Sequence, residues 1–211
     1  MKRYCSKITL AFIFSLILLV SVFAINAFAA PVSDGDITWK YSLNETDKTA
    51  TITGVTISAN LEKTSSFTIP DTLYIEKNGE TVSYPVVKIG SSSFKNNKKV
   101  FGKLTLPSTL TTIGDNAFNG TYICEDLVIP DSVTSIEASA FYNCVGLNKV
   151  TLSKNVKELK SSTFYNCFAM TEINTENVEI FGENCFYVCK SLLKVDLSSA
   201  TSIVTTLFKS L

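Results

Sequence analysis

The sequence of 211 residues contains no histidine. This absence excludes Ser-His-Asp and Cys-His catalysis, histidine-ligated metals and histidine-based pH switching. Net charge is also absent, because 19 Lys and Arg residues balance 19 Asp and Glu residues. No bulk electrostatic field therefore attracts a nucleic acid, and we expect none as a partner. Apolar residues make up 45% of the chain, which is enough for a hydrophobic core.

Residues 1–29 have the organisation of a signal peptide. Three basic residues within positions 2–7 precede an apolar run over 8–28, and Ala27-Phe28-Ala29 forms the small-x-small pattern that signal peptidase recognises. We expect cleavage after Ala29 and secretion, with an uncleaved membrane anchor as the alternative. The mature chain would carry 16 basic against 19 acidic residues. No second hydrophobic span follows, so we expect no membrane span after cleavage.

Three apolar columns repeat through the rest of the chain. Phenylalanines recur at spacings of 24, 23, 23, 22 and 22 residues: Phe94, Phe118, Phe141, Phe164, Phe186 and Phe208. An apolar residue stands five positions before each: Ile89, Ile113, Ile136, Leu159, Phe181 and Ile203. Another stands eight positions before each: Val86, Leu110, Val133, Val156, Val178 and Ala200. A fixed period of about 23 residues predicts a solenoid of stacked repeats.

A short alternating segment lies between successive copies of the columns. These segments are Leu104-x-Leu106, Leu127-x-Ile129, Val150-x-Leu152, Ile173-x-Thr175 and Val195-x-Leu197. Such alternation predicts a short strand with one buried face. Pro107 and Pro130 end two of the strands, because proline cannot continue a ladder. One short parallel strand per turn predicts a mainly β, right-handed solenoid of the leucine-rich-repeat type.

The best-preserved copies resemble the BspA-like leucine-rich repeat. The segment from Ile129-Pro130 to Ile136, continued by Ala140-Phe141-Tyr142-Asn143-Cys144, is similar to the family pattern I-x-I-P-x-x-V-x-x-I-G-x-x-A-F-x-x-C. Leu106–Phe118 is equally similar, although Thr121 stands in place of the cysteine. The copy beginning at Val150 departs from the pattern at Ser153 and Lys160. The resemblance implies secreted or surface proteins, several of which resemble adhesins.

Residues 30–66 differ from the repeats and predict an N-terminal β cap. Two Thr- and aromatic-rich alternations, over 36–43 and 49–56, read as a β-hairpin that covers the open core of the first repeat. The repeats then occupy residues 67–211. Asn78-Gly79 marks a hairpin insertion within the first repeat, at about residues 71–84.

The cysteines form a fourth column. Cys144, Cys167 and Cys189 each stand three residues after an anchor phenylalanine. We interpret them as small buried thiols that fill a turn, and they should be reduced and slow to react. A disulfide and a metal ladder are the alternatives, although the spacing matches no zinc motif. We expect no metal and no cofactor.

The remaining candidate site is the outward-facing row of the strands. It comprises Thr105, Val128, Thr151, Asn174 and Asp196, and the flanking residues alternate in charge. The carboxylates are scattered and no cleft is predicted, so we expect no enzyme and no catalytic residues. The sequence predicts an extracellular binding or adhesion module for a protein or glycan ligand. We expect the module to be secreted, with attachment to the cell surface as the alternative. A passive spacer is the second hypothesis. The apolar last copy also predicts end-to-end self-association.

Overall fold

The computed structural model describes residues 32–34, 36–59, 66–204 and 206–208. The signal segment and its cleavage site lie outside these residues. The described residues contain strands and no helix. The strands are β1 (Val32–Asp34), β2 (Ile37–Asn44), β3 (Thr49–Ile57), β4 (Ser66–Thr68), β5 (Thr72–Lys77), β6 (Glu80–Ile89), β7 (Phe101–Thr105), β8 (Thr112–Ile113), β9 (Tyr122–Val128), β10 (Ser135–Ile136), β11 (Gly146–Thr151), β12 (Glu158–Leu159), β13 (Glu172–Ile173), β14 (Ile180–Phe181) and β15 (Ser202–Ile203).

The repeats stack as two parallel ladders on opposite sides of one core. The main ladder has the order β4-β7-β9-β11-β13, and its last four strands overlap four of the five predicted alternating segments. The second ladder has the orders β6-β8-β10 and β12-β14-β15, and all of its strands except β6 are two residues long. Strands of neighbouring repeats pair along the main ladder, as Leu127 does with Val150 and Val150 with Ile173. The prediction of a mainly β solenoid is therefore confirmed.

The anchor phenylalanines form a continuous buried stack. The ring centroids of Phe118, Phe141 and Phe164 are 5.4 Å apart at each step, and their planes are within 6° of parallel. The first five anchors and the first five residues of the column five positions earlier are fully buried. The sixth copy differs, because Phe208 is 46% exposed with no described repeat beyond it. The first five copies of the predicted columns are therefore confirmed as the core.

The turn that carries each phenylalanine is a hydrogen-bonded stack of its own. The N–H of Phe118 donates to the carbonyl of Ala140 at 2.8 Å, and the N–H of Phe141 donates to that of Thr163 at 2.9 Å. Each turn includes left-handed residues, among them Asn143 (φ 57°) and Asn166 (φ 54°). Asparagine is one of the few non-glycine residues that tolerate this region. The asparagines that recur beside the anchors therefore follow from backbone geometry.

Two hairpins lie at the N-terminal end. The predicted hairpin is present as β2 and β3, and β3 pairs in parallel with β6 and so joins the second ladder. The buried Trp39 packs its ring against Phe67 and Phe94, at centroid distances of 5.7 and 6.4 Å. The insertion forms the antiparallel hairpin β5–β6, with Asn78 and Gly79 both at positive φ. Such residues are those of a type I′ turn.

The main ladder ends earlier than the alternation predicts. The segment Ile173-x-Thr175 forms a strand only over Glu172–Ile173, and Val195-x-Leu197 forms none. The prediction of a strand at Val195-x-Leu197 is therefore wrong. The physical reason is the Thr175 hydroxyl, which donates to the carbonyl of Asp196 at 2.7 Å and accepts from its N–H at 2.8 Å. The Thr175 side chain therefore makes the two hydrogen bonds that a backbone peptide group of a neighbouring strand would make in a regular ladder.

Candidate binding surfaces

The outer row of the main ladder is exposed in its N-terminal part. Thr105 and Thr151 are exposed, and Val128 is 59% exposed, which is high for an apolar residue. Val128 and Thr151 are register partners on neighbouring strands. Thr68 is also exposed and pairs with Thr105, so it extends the row into the first repeat. The signal for Thr68 was available, because Phe67-x-Ile69-Pro70 has the form of Leu104-x-Leu106-Pro107.

The last two predicted members of the row are engaged in the fold. The Asn174 carboxamide accepts from the N–H of Leu152 at 2.6 Å and donates to its carbonyl at 3.4 Å. The Asp196 carboxylate accepts from the N–H of Ser198 at 2.8 Å, and hydrogen bonding to the Ser198 side chain and backbone lowers its pKa. Both residues are half-buried. The structure thus places Thr105 beside Thr68 and Val128 beside Thr151 as free members of the row on neighbouring strands, and it assigns Asn174 and Asp196 to local backbone contacts.

A shallow depression lies where the main ladder ends. Its volume is about 550 Å³, and its lining includes Lys149, Glu172, Asn174, Leu193 and Asp196. Lys149 and Glu172 form an ion pair at 2.9 Å across neighbouring strands, which raises the pKa of Lys149. Both side chains are more than half exposed, so this pair adds little stability. The charges beside the row alternate in sign, and Lys149 and Glu172 neutralise one another.

Where the pKa of a carboxylate in the described residues departs from its usual value, it is lowered. Glu137 accepts hydrogen bonds from Lys160 of the next repeat and from Ser135, and these bonds lower its pKa. Asp131 is paired with Lys154 at 3.2 Å, with the same effect on its pKa. A general acid in a glycosidase needs a raised pKa instead. These carboxylates therefore tie one repeat to the next rather than prepare a proton for transfer.

The cysteine column lies inside the turns as free thiols. Cys144 and Cys167 are fully buried, and Cys189 is partly buried. The thiols of Cys144 and Cys167 donate at 3.3 Å to the carbonyls of Phe118 and Phe141 in the preceding repeat. Burial raises the pKa of Cys144 to about 12. A thiolate is therefore strongly disfavoured in the column, which is expected of packing residues.

The columns just after the anchors form an aromatic surface that the sequence interpretation missed. Tyr142, Tyr165 and Tyr187 follow the anchors directly, and their half-buried rings stack at centroid distances of 4.4 and 5.1 Å. Three positions further, Tyr122, Val145 and Phe168 are exposed. The signal for the tyrosines was present in the sequence, because each of them directly follows an anchor phenylalanine.

The repeat pattern is matched by a known family. The description "BspA type Leucine rich repeat region" fits residues 87–211 with six copies, which is more than half of the chain. The chain belongs to this BspA-type leucine-rich repeat family. No curated protein matches the chain.

Solved structures similar to this BspA-type chain are bacterial repeat proteins. A leucine rich cell surface protein from Faecalibacterium prausnitzii A2-165 is 25% identical, with a TM-score of 0.50, over 81% of this chain and 55% of that one. The chain thus spans about half the length of that protein. A leucine-rich repeat protein from Bacteroides capillosus is 23% identical, with a TM-score of 0.40, over 86% and 99%. The leucine-rich repeat protein of T. pallidum is 22% identical, with a TM-score of 0.39, over 74% and 88%.

Two further findings concern what the described residues lack. They include no helical segment with the length and hydrophobicity needed to cross a bilayer. They also contain no group of three or more cysteine and carboxylate side chains arranged to hold a metal ion.

Proposed function

We propose that the chain is an extracellular binding module that presents its main ladder to a protein or glycan ligand and has no enzymatic activity. The observation that carries the proposal is the free row of Thr105, Val128 and Thr151 on a solenoid of this family. Two hydroxyls and an exposed apolar side chain, held on neighbouring strands about 4.8 Å apart, form a rigid platform. A rigid platform lowers the entropy cost of binding. The similarity to a protein described as a leucine rich cell surface protein supports the extracellular location.

The location is tested by the first residue of the secreted protein. Signal peptide cleavage after Ala29 predicts an N-terminus at Ala30, which N-terminal sequencing or intact mass measures. Met1 retained in a membrane fraction would instead favour an anchored protein and contradict the secreted form.

The binding surface is tested with the mature protein against a panel of extracellular-matrix proteins, a glycan array and the producing cell's surface. A ligand that binds the wild type should lose at least about tenfold in affinity with Val128→Glu, because a charge then occupies the centre of the row. Tyr74→Ser is the matched control, since Tyr74 is 66% exposed on the hairpin β5–β6, away from the row. Equal affinities of the two variants would place binding elsewhere, and the absence of saturable binding would favour the spacer hypothesis.

We further propose that the last repeat takes part in end-to-end self-association. Leu193 is 86% exposed, and Ile203, Val204 and Phe208 are each more than 40% exposed at the same end of the solenoid. The strand β15 is the outer strand of its ladder. An outer strand beside exposed apolar residues can pair with another chain. Light scattering should show a mass that rises with concentration, and Leu193→Lys should reduce it. A monomer at all concentrations would contradict the proposal.

A further inference from the structure

An exposed apolar stripe runs along the solenoid at the start of the main-ladder strands, six residues before the outer row. We define the apolar stripe as Tyr122, Val145 and Phe168, which are 42%, 43% and 48% exposed. Each stands four residues after its anchor phenylalanine, on three consecutive repeats. The N–H of Ala169 donates to the carbonyl of Val145 at 3.2 Å, which places Phe168 and Val145 side by side. Three apolar side chains in a row on the surface are a candidate contact site.

Lysines bracket the apolar stripe at both ends. Lys98 and Lys190 occupy the same position of the two flanking repeats. The Lys98 ammonium is 4.4 Å from the centre of the Tyr122 ring and donates to the carbonyl of Gly120 at 2.6 Å. The Lys190 ammonium is 5.8 Å from the centre of the Phe168 ring. The rings attract and hold the two cations in place. No carboxylate of the described residues forms an ion pair with either lysine.

The charges at the ends decide what can cover the stripe. A second copy that docked antiparallel would place Lys98 opposite Lys190, and a parallel copy would place each lysine opposite itself. Either arrangement brings like charges together while the apolar residues are desolvated, which is unfavourable. A partner with carboxylates at both ends instead matches the cations and buries the apolar centre.

We propose that the apolar stripe is a second contact surface, which binds an extended segment of a partner protein with a carboxylate at each end of a short apolar stretch. Neighbouring strands are about 4.8 Å apart, so the two ammonium groups are about 20 Å apart when they lie over the outer ring faces. An extended chain rises about 3.3 Å per residue, so the two carboxylates should be about six residues apart. This surface is separate from the row of Thr105, Val128 and Thr151 and does not depend on its ligand.

The test uses the whole mature protein and two labelled peptides of seven residues. One has glutamate at both ends of a stretch of valine, threonine and phenylalanine, and the other has lysine at both ends of the same stretch. Fluorescence anisotropy should show a preference for the glutamate peptide of about tenfold or more. The double variant Lys98→Glu and Lys190→Glu should reverse this preference. Equal affinity for the two peptides, binding of neither, or a preference that survives the charge reversal would each overturn the proposal.

A second pair of variants separates the stripe from the outer row. Val145→Ser should weaken binding of the glutamate peptide by about tenfold, because it removes the apolar centre of the stripe. Val128→Ser is the matched control on the outer row and should leave peptide binding unchanged. Both sites are exposed, so both variants should unfold at the wild-type denaturant concentration. A Val145-dependent dimer in sedimentation, or binding to phosphatidylglycerol vesicles in place of the peptide, would assign another occupant and overturn the proposal.

Discussion

Replacement of Phe141 by alanine should be among the most destabilising single changes in the chain. The Phe141 ring is fully buried and lies between Phe118 and Phe164, each 5.4 Å away and nearly parallel to it. The two neighbours are fixed by their own backbone ladders, so they cannot collapse into the space left. Removal of a buried phenylalanine side chain costs about 3–5 kcal/mol, and poor collapse favours the upper part of that range. For a chain of this length this corresponds to a melting temperature lower by about 6–20 °C.

Two matched variants calibrate this prediction. Phe208→Ala removes the same side chain where it is 46% exposed and has a stacked neighbour only in Phe186 among the described residues, so about 1 kcal/mol is expected. Thr151→Ala, at an exposed position of the outer row, should change stability by about 0.5 kcal/mol or less. Urea denaturation followed by far-ultraviolet circular dichroism measures all three. Comparable midpoints for Phe141→Ala and Thr151→Ala would refute the assignment of the phenylalanine column to the core.

Three further predictions follow from the turns and the hairpins. Cys144 and Cys167 should not react with a thiol reagent in the native protein and should react at once in denaturant, because burial keeps them protonated; rapid native labelling would contradict this. Glu45 bonds to Lys77, Lys48 and Tyr84, which lowers its pKa from 4.5 to about 2. Folding favours the charged form of Glu45, so its contribution to the free energy of unfolding is complete above pH 4.5 and is lost as the pH falls towards 2. Glu45→Gln should therefore flatten the dependence of stability on pH between pH 2 and 4.5. An unchanged dependence would show that Glu45 does not form these hydrogen bonds. Val188 has a φ of 63° at the position where three other turns have asparagine and one has glycine, so Val188→Asn should raise stability by about 1 kcal/mol. A loss in urea midpoint would count against the turn geometry.

The sequence was sufficient to predict the architecture because the core repeats along a single axis, with each repeat packed only against its two neighbours. A side chain buried in one repeat sits above the equivalent side chain in the next, so the same apolar residue recurs at the same offset. That is why the anchor phenylalanines and the column represented by Ile113 and Ile136 were located correctly. The Asn78-Gly79 hairpin was predicted for a local reason, since the dipeptide itself accepts two positive φ values.

The candidate sites were less accessible from the sequence. Exposed positions do not have to pack against their equivalents in the next repeat. The repeat pattern therefore does not distinguish a row of exposed residues that binds a ligand from a row that only contacts solvent. The apolar stripe shows this limit, because Lys98 and Lys190 occupy the same column as Tyr122 and Phe168 and hide its apolar character in the sequence. Only the structure shows that the two ammonium groups lie over the rings at the ends of the stripe.

The end of the main ladder shows what alternation can and cannot determine. Alternation predicts which face of a strand is buried, and Thr175 is indeed buried as its phase requires. It does not determine which group makes the ladder hydrogen bond, and here the side chains of Asn174 and Thr175 replace peptide groups. Asn174 is therefore fixed by Leu152 and is not free to change partners when a ligand arrives. The free outer row is limited to the strands from β4 to β11, about 14 Å across at 4.8 Å per strand. A ligand of the main ladder should accordingly contact the N-terminal repeats, and substitutions at Asn174 should affect stability before they affect binding.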